Sequence, residues 1–202
     1  ASVAAGGLLT VRAVTSAIDT VVFDLDDTLY DESTFVEAAF DETAGFVAEI
    51  SPVDRTTVRD AITRRLRSDG RGRIFDLVVE DLALNPCLVP AMVHRYRTAR
   101  PNLELFPDAD AVLDRLRSEG VRTGLVTDGM AIVQQNKVAA LRLDRRLDAI
   151  VYTGALPSGM AKPSISGFEA ILAMLGADAG SSCYVGNDLT KDFVGPRRLG
   201  MT

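Results

Sequence analysis

The stretch that decides the fold is TVVFDLDDTL, residues 20–29, in which a short apolar run is followed by three carboxylates within four residues and then a threonine. Val21 to Phe23 has the character of a strand that is buried on both faces, as in a parallel sheet. Asp24 and Asp26 then lie at its carboxyl end, where ligands bind in open α/β sheets. Because buried carboxylates repel one another and lose hydration, their presence predicts a cation or a reaction that compensates.

Acidic residues at the end of a strand also occur in EF-hands and in plain helix caps. The loop of an EF-hand begins with spaced aspartates, but it needs glycine at its sixth position, where this chain has Leu29. The first motif alone leaves the helix cap open as an interpretation. The later motifs decide between a cap and a site.

The bulk composition limits the function classes. A chain of 202 residues with 47% hydrophobic residues suits one domain, or a core with a small insert. The net charge of −6 argues against nucleic acid and anionic membranes as partners, and no apolar run is long enough for a membrane span. Cys87, Cys183 and the single histidine, His94, provide neither a disulfide framework nor a zinc site. A cytoplasmic location is therefore expected.

The chain divides into three parts by its pattern. Residues 1–17 are small and weakly apolar, and they are expected to form a mobile lead-in with a short strand at residues 9–11. Residues 30–100 carry helical periodicity without a strand signal, with N-caps expected at Thr34 and Ser51. From Phe106 onward, helices and strands alternate.

The alternating part predicts a parallel α/β sheet. After the first strand, further strands are expected at residues 122–126, 149–152 and 183–185, with helices at 108–119, 131–141, 166–175 and 192–199 between and after them. Crossover connections of this length require parallel pairing and a right-handed connection.

The motif Asp24-Leu25-Asp26-Asp27-Thr28 resembles the DxDx(T/V) signature of the haloacid dehalogenase-like hydrolases, most of which are phosphatases. The resemblance implies a Rossmann-like, three-layer α/β/α core with strand order 4-1-2-3 and an all-helical cap inserted after the first motif. Residues 18–30 and 101–202 would form the core, and residues 31–100 the cap. Family members usually carry a further strand after Met201, so this chain is expected to stop before it.

Three later motifs follow the family's order. Thr127, before Asp128 and Gly129, takes the place of the family's Ser or Thr, whose hydroxyl and following amides suit a phosphate oxygen. Asp128 stands where many relatives have Asn, and a carboxylate there must point away or pair. Lys162, before a proline, takes the place of the family's lysine, which can hold a transferring phosphoryl group.

The acidic motif after the fourth strand is GNDLTKD, residues 186–192. The family has GDxxxD or GDxxxxD at this place. Asp188 is the expected metal ligand and Asn187 the alternate. Asp192 would orient Lys162 or support the metal through a water molecule.

A divalent cation follows from the charges of these groups. Asp24, Asp26, Asp188 and Asp192 outweigh Lys162, and like charges 4 Å apart cost about 4 kcal/mol at an effective dielectric constant near 20. Mg²⁺ fits, since it prefers a few protein carboxylates together with substrate phosphate. The expected ligands are Asp24, the Asp26 carbonyl and Asp188.

The resemblance implies hydrolysis of a small-molecule phosphate monoester. Asp24 would attack phosphorus, Asp26 would act as acid and base, Thr127 and Lys162 would hold the phosphoryl group, and Thr28 would fix the loop and contact phosphate. The alternatives are a phosphoryl-transferring mutase and a non-catalytic phosphate-binding or regulatory module. The expected partner is a small phosphorylated metabolite, and the protein is expected to be a monomer or a homodimer.

Several other residues receive structural interpretations. Gln134 and Lys137 resemble the family's Q-x-x-K, but a solvated helix face is the favoured interpretation. His94 is interpreted as a packing or surface residue. The arginine run within residues 64–73 is interpreted as a solvated helix face, with binding of an anionic substrate as the alternative. Tyr30 and Phe35 are left as either substrate contacts or links between cap and core.

Overall fold

The computed structural model describes residues 17–202, and its centre is a sheet of four parallel strands. The strands are β1 (Thr20–Phe23), β2 (Arg122–Thr127), β3 (Ala149–Tyr152) and β4 (Ser182–Val185). Their order across the sheet is β3-β2-β1-β4, which confirms the predicted order 4-1-2-3. Phe23 pairs with Leu125 on one side and Val185 on the other, so the carboxyl ends of β1, β2 and β4 lie at one edge.

Helices cover both faces of the sheet, as the Rossmann-like prediction requires. They are α5 (Pro107–Ser118), α6 (Ala131–Ala140), α7 (Ser166–Leu175) and α8 (Val194–Leu199). Helices α1 to α4 come earlier in the chain and are described in the next paragraph. Successive side chains of a strand point to opposite faces. Val21 and Phe23 accordingly pack in the apolar cluster that includes α5 and α6, whereas Val22 packs with Phe168 of α7. The predicted α/β fold class is confirmed.

Between β1 and α5 lies a block of four helices, here called the helical insert (residues 32–98). They are α1 (Glu32–Ile50), α2 (Arg55–Asp69), α3 (Ile74–Asp81) and α4 (Val89–Thr98). Four aromatic rings pack at its centre with centroids 4.9–6.0 Å apart, those of Phe35, Phe40, Phe75 and Tyr96. The insert also contacts the core through α4 and α6. Its division from the core as a separate cap domain stays a prediction.

The helix starts of the insert differ from the predicted ones. Asp31 caps α1 by accepting from the Ser33 amide at 2.8 Å, and Asp54 caps α2 by accepting from the Thr57 amide at 3.0 Å. The predicted caps at Thr34 and Ser51 are therefore wrong. The Ser51 hydroxyl instead accepts a hydrogen bond from Val53 within the preceding turn, since aspartates nearer the helices satisfy the free amides.

The described part of the chain ends at Thr202, which lies beside β4. At the last residue, the Thr202 amide donates to the Ser182 carbonyl at 3.0 Å, and the Tyr184 amide donates to the Thr202 carbonyl at 2.9 Å. Thr202 therefore pairs with the outer edge of β4. The predictions for the lead-in, including the strand at residues 9–11, lie outside the described residues apart from residue 17. Within residues 17–202, no helix combines the length and apolar character needed to span a bilayer.

Candidate active site

A polar cavity of about 350 Å³ opens at the carboxyl edge of the sheet. The loops after β1, β2 and β4 supply its walls, as expected for a parallel α/β sheet. It is lined by Asp24, Asp26, Asp27, Glu32, Asp128, Gly129, Asn187, Asp188 and Lys191. Most of the predicted site residues from three separate motifs are therefore brought to one place.

Lys162 forms the centre of a buried ion-pair cluster that includes Asp24 at the wall of this cavity. The Lys162 ammonium donates to Asp24 Oδ1 at 2.6 Å and to Asp192 Oδ1 at 2.7 Å. It also lies 3.1 Å from the Tyr184 hydroxyl, a residue that the sequence did not single out. Asp24 is 4% exposed and Asp192 is 0% exposed, so both carboxylates depend on this one ammonium for their charge balance.

The pKa values of this cluster follow from burial and pairing. Burial raises the pKa of Asp24 to about 6, although the attraction of Lys162 opposes the shift. Burial alone would lower the pKa of Lys162, but its interactions with Asp24 and Asp192 prevail and raise it. Lys162 is therefore held as a cation, and Asp24 is a carboxylate whose charge is only partly compensated.

Asp192 also organises the acidic loop. Its Oδ2 accepts a hydrogen bond from the Asp188 amide at 2.8 Å. A methyl group on Gly186 would lie 2.6 Å from that same oxygen, so glycine allows the close approach. Asp188 in turn accepts from the Thr190 hydroxyl at 2.6 Å, which together with the Thr190 amide lowers the pKa of Asp188. Asp188 thus lines the cavity as a carboxylate.

Asp128 lines the cavity, and its carboxylate is paired with two donors from the loops after β3. Its Oδ1 accepts from the Thr153 hydroxyl at 2.6 Å and from the Lys162 amide at 3.1 Å. The carboxylate therefore ties the loop after β2 to the loop that carries Lys162. The sequence predicted that a carboxylate at this position must either point away from phosphate or pair with a donor, and Asp128 is paired.

Asp26 is held by residues that were predicted to face solvent. The Lys137 ammonium donates to Asp26 Oδ1 at 2.7 Å, and the Gln134 amide donates to Oδ2 at 2.8 Å and to the Thr127 hydroxyl at 2.6 Å. Gln134 is 2% exposed and Lys137 3% exposed, so the prediction of a solvated helix face is wrong. The Q-x-x-K spacing could have indicated that Gln134 and Lys137 act together, because residues three apart share a helix face.

Thr28 does not lie at the cavity. It lines an apolar groove between β1, β4 and α5, together with residues such as Val21, Val112 and Val185. Its buried hydroxyl has no hydrogen-bond partner among the described residues. This position disagrees with the predicted phosphate contact, because the groove is on the face of the sheet and not at its carboxyl edge.

The remaining candidates separate into surface and site residues. His94 is exposed on α4, as predicted. Arg71 differs from the rest of the arginine run, because it donates to both Glu32 carboxylate oxygens at 3.0–3.1 Å and lines a second cavity of about 240 Å³ beside Asp26. Tyr30 and Phe35 are both buried, and the Tyr30 hydroxyl donates to Asp26 Oδ1 at 2.8 Å.

Comparison with known proteins identifies the family. Residues 18–200 match the haloacid dehalogenase-like hydrolase family. The chain belongs to the haloacid dehalogenase-like hydrolases. The predicted family and enzyme class, a phosphatase of haloacid dehalogenase type, are confirmed. Among curated relatives, the glyceraldehyde 3-phosphate phosphatase of Pyrococcus abyssi is 30% identical over 190 residues, which cover 91% of this chain and 79% of that protein.

A second curated relative is similar to this haloacid dehalogenase-like hydrolase in sequence, and a solved structure is similar to it in fold. The glyceraldehyde 3-phosphate phosphatase of Methanocaldococcus jannaschii is 27% identical, with 90% of this chain and 81% of that protein covered. The structure of a putative beta-phosphoglucomutase from Thermotoga maritima has a TM-score of 0.67 at 18% identity, with coverage of 91% and 82%. At that identity, the likeness shows the fold alone.

The donor set of this hydrolase can be tested against the expected Mg²⁺. Within residues 17–202, no group of three or more acidic, histidine or cysteine side chains is arranged to hold a metal by itself. The expected set needs only two carboxylates, Asp24 and Asp188, with a backbone carbonyl. All of its donors are hard oxygens, and Mg²⁺ completes such sets with water and substrate phosphate. The residues present therefore fit Mg²⁺ and do not fit a zinc site.

Gly154 gives a first prediction, because a methyl group there would lie 1.9 Å from the Gly129 carbonyl oxygen. That neighbour is backbone, so Gly154→Ala must displace the loop after β2. We expect a loss of stability of about 1–3 kcal/mol and a clear fall in kcat/KM, measured by urea denaturation and steady-state kinetics. Gly72→Ala is the control, because its methyl group would meet nothing within 4 Å. Equal stability of the two variants would contradict the close approach.

Proposed function

We propose that this chain hydrolyses the phosphate monoester of a small metabolite through an aspartyl-phosphate on Asp24. One observation carries the proposal: the buried Asp24 carboxylate at the end of the central strand is paired with Lys162 at 2.6 Å and lines an acidic cavity. A carboxylate that is costly to bury and is kept beside a cation is suited to nucleophilic attack on phosphorus.

In the first half-reaction, an Asp24 carboxylate oxygen attacks phosphorus and forms a new O–P bond. The bond from phosphorus to the ester oxygen breaks, and Asp26 in its acid form gives its proton to that leaving oxygen. The products are a free alcohol, an aspartyl-phosphate and the Asp26 carboxylate.

In the second half-reaction, the Asp26 carboxylate takes a proton from a water molecule as that water attacks phosphorus. The Asp24–phosphate bond breaks and releases inorganic phosphate. Asp24 is again a carboxylate and Asp26 again carries a proton, so the cycle closes without another reactant.

The phosphoryl group would be held by Lys162, by the Thr127 hydroxyl and by the amides of Asp128 and Gly129. Mg²⁺ would be held by Asp24, the Asp26 carbonyl and Asp188, with Asn187 as the alternate to Asp188. When bound, this ion supplies positive charge to the phosphoryl oxygens. Asp192 acts by orienting Lys162, since it accepts from that ammonium at 2.7 Å.

The helical insert would act as the cap that selects the substrate. In support, Arg71, Tyr96 and Arg97 of the insert share the 240 Å³ cavity with Asp26 and Gly129. The relatives named glyceraldehyde 3-phosphate phosphatase make that three-carbon ester the first substrate to test. A small cavity with cationic side chains suits a short, polar ester better than a nucleotide. We further expect a cytoplasmic monomer or homodimer.

The test is a release assay for inorganic phosphate with an aryl phosphate and a panel of phosphorylated metabolites. The panel includes glyceraldehyde 3-phosphate, phosphoserine and ribulose 1,5-bisphosphate. We expect turnover that is highest with one short-chain ester. Transfer of phosphate to a second sugar without release would instead indicate a mutase, and absence of turnover with stable phospho-Asp24 would indicate a regulatory module.

Removal of the metal gives a second prediction. Chelation with EDTA is expected to reduce turnover by at least about 10³-fold, because the phosphoryl oxygens then lose the positive charge of the ion, which Lys162 and the neutral donors do not replace. Mg²⁺ should restore the rate, whereas Ca²⁺ should not, since it takes longer bonds and more ligands. Full activity of the chelated protein would contradict the metal assignment without affecting the role of Asp24.

A further inference from the structure

Three side-chain donors hold the Asp26 carboxylate. Oδ1 accepts from the Tyr30 hydroxyl at 2.8 Å and from the Lys137 ammonium at 2.7 Å, and Oδ2 accepts from the Gln134 amide at 2.8 Å. Tyr30 is on the loop after β1, whereas Gln134 and Lys137 are on α6. The side chain is therefore fixed from two elements that are distant in sequence, and Oδ2 retains room for one more partner.

Lys137 occupies a position where a charge is costly. It is 3% exposed, and its ammonium lies 4.8 Å from the centre of the Phe35 ring. A methionine would fill similar space without the cost of burying an ammonium. Its contacts with carboxylates are Asp26 at 2.7 Å and Glu32 at 3.4 Å. The charge is thus directed at Asp26, with Glu32 as its weaker second acceptor.

Glu32 extends this contact into the helical insert. Its two carboxylate oxygens accept from Arg71 at 3.1 and 3.0 Å, while Oε1 also faces Lys137. A continuous series of opposite charges therefore runs from Arg71 through Glu32 and Lys137 to Asp26. Arg71 is half-exposed and lines the cavity beside Asp26.

We infer that Lys137 is a positioning residue for the acid and base of the reaction. Together with Tyr30 and Gln134, it fixes the Asp26 carboxylate so that Oδ2 exchanges the proton with the leaving oxygen and then with water. The inference rests on the proposed function, because it assumes that Asp26 transfers that proton. It gives a catalytic reason for a buried lysine on α6 that fold stability alone does not require.

The test compares Lys137→Met with the wild type on two substrates. An alkyl phosphate needs a proton on its leaving oxygen, whereas an aryl phosphate with an acidic phenol leaves without one. We expect kcat for the alkyl ester to fall about 10²-fold. For the aryl ester, formation of phospho-Asp24 should stay within about 3-fold of the wild type, while its hydrolysis by water slows. A burst of phenol and accumulated phosphoenzyme, seen by rapid quench and mass spectrometry, are the expected signature.

A structural role would give a different result. If Lys137 served only packing, both substrates would lose activity equally and no phosphoenzyme would accumulate, which would overturn the inference. Gln135→Met is the control, because residue 135 is exposed on the same helix and should behave as the wild type. If Lys137→Met does not fold, Tyr30→Phe decides, since it removes one donor to Asp26 and keeps the buried ring. It should slow the formation of phospho-Asp24 from the alkyl ester selectively, and an equal loss in that step for both esters would contradict the inference.

The outcome is separable from the proposed function. A wild type that forms no phosphoenzyme would refute the mechanism through Asp24. A wild type that forms it, with a Lys137→Met variant that loses phosphoenzyme formation equally from the two esters, would refute only the positioning role.

Discussion

Asp24→Asn is expected to reduce turnover by at least about 10⁴-fold while the fold survives. The amide cannot attack phosphorus, so no aspartyl-phosphate can form and both half-reactions are lost. Stability should hold, because burial has already raised the pKa of Asp24 to about 6. A raised carboxyl pKa means that the folded state disfavours the charge, so stability from this group falls as the pH rises from about 4 to about 6. A neutral amide escapes that penalty, and Lys162 keeps Asp192 as a partner.

Asp27→Asn is the matched control for this variant. It makes the same change three residues along the same loop, at an exposed position that also lines the cavity. Asp27 has a φ of 55°, which asparagine tolerates, and its Oδ1 accepts from the Glu32 amide at 2.9 Å, which an amide oxygen can also do. Phosphate release, phosphoenzyme mass and thermal unfolding are measured for both. Asp24→Asn with activity near that of Asp27→Asn would refute the nucleophile.

Much of this site could be predicted because each motif follows a strand. Three apolar residues before Asp24 indicate a buried central strand, and parallel crossovers then bring the ends of β1, β2 and β4 to one edge. The convergence of Asp24, Lys162 and the acidic loop therefore follows from topology. Charge counting along the chain indicated the need for compensation, but it omitted the ammonium of Lys137.

The contacts of Lys137, Asp128 and Thr28 could not be predicted, because they depend on the direction in which each side chain points. Lys137 reaches Asp26 across 111 positions, and only the packing of α6 against the loop after β1 turns it inward. Asp128 pairs with Thr153 and the Lys162 amide because of a turn that begins 25 residues later. Thr28 follows Asp27, which has a positive φ, and it lines the apolar groove with its hydroxyl buried, a placement that the motif alone does not indicate.

Lys162→Met is expected to have the largest effect on stability, a loss of about 3–5 kcal/mol in the free energy of unfolding. The change removes the ammonium that Asp24 and Asp192 share at 2.6 and 2.7 Å, and it leaves two buried carboxylates facing each other. Urea denaturation at neutral pH measures the loss. Lys191→Met is the control, because Lys191 is half-exposed and lies 3.7 Å from Asp188, so its pair contributes little.

A second substitution separates the structural from the catalytic role of Lys162. Adding Asp192→Asn to Lys162→Met removes the uncompensated charge that is most deeply buried, so part of the lost stability should return. Turnover should not return, because no ammonium then faces the transferring phosphoryl group. If the double variant recovered both, Lys162 would serve only to neutralise the buried carboxylates. If it recovered neither stability nor turnover, the loss of stability would come from the unpaired Asp24 carboxylate alone. The hydrogen bond from the Asp188 amide would then be enough to stabilise the buried Asp192 carboxylate.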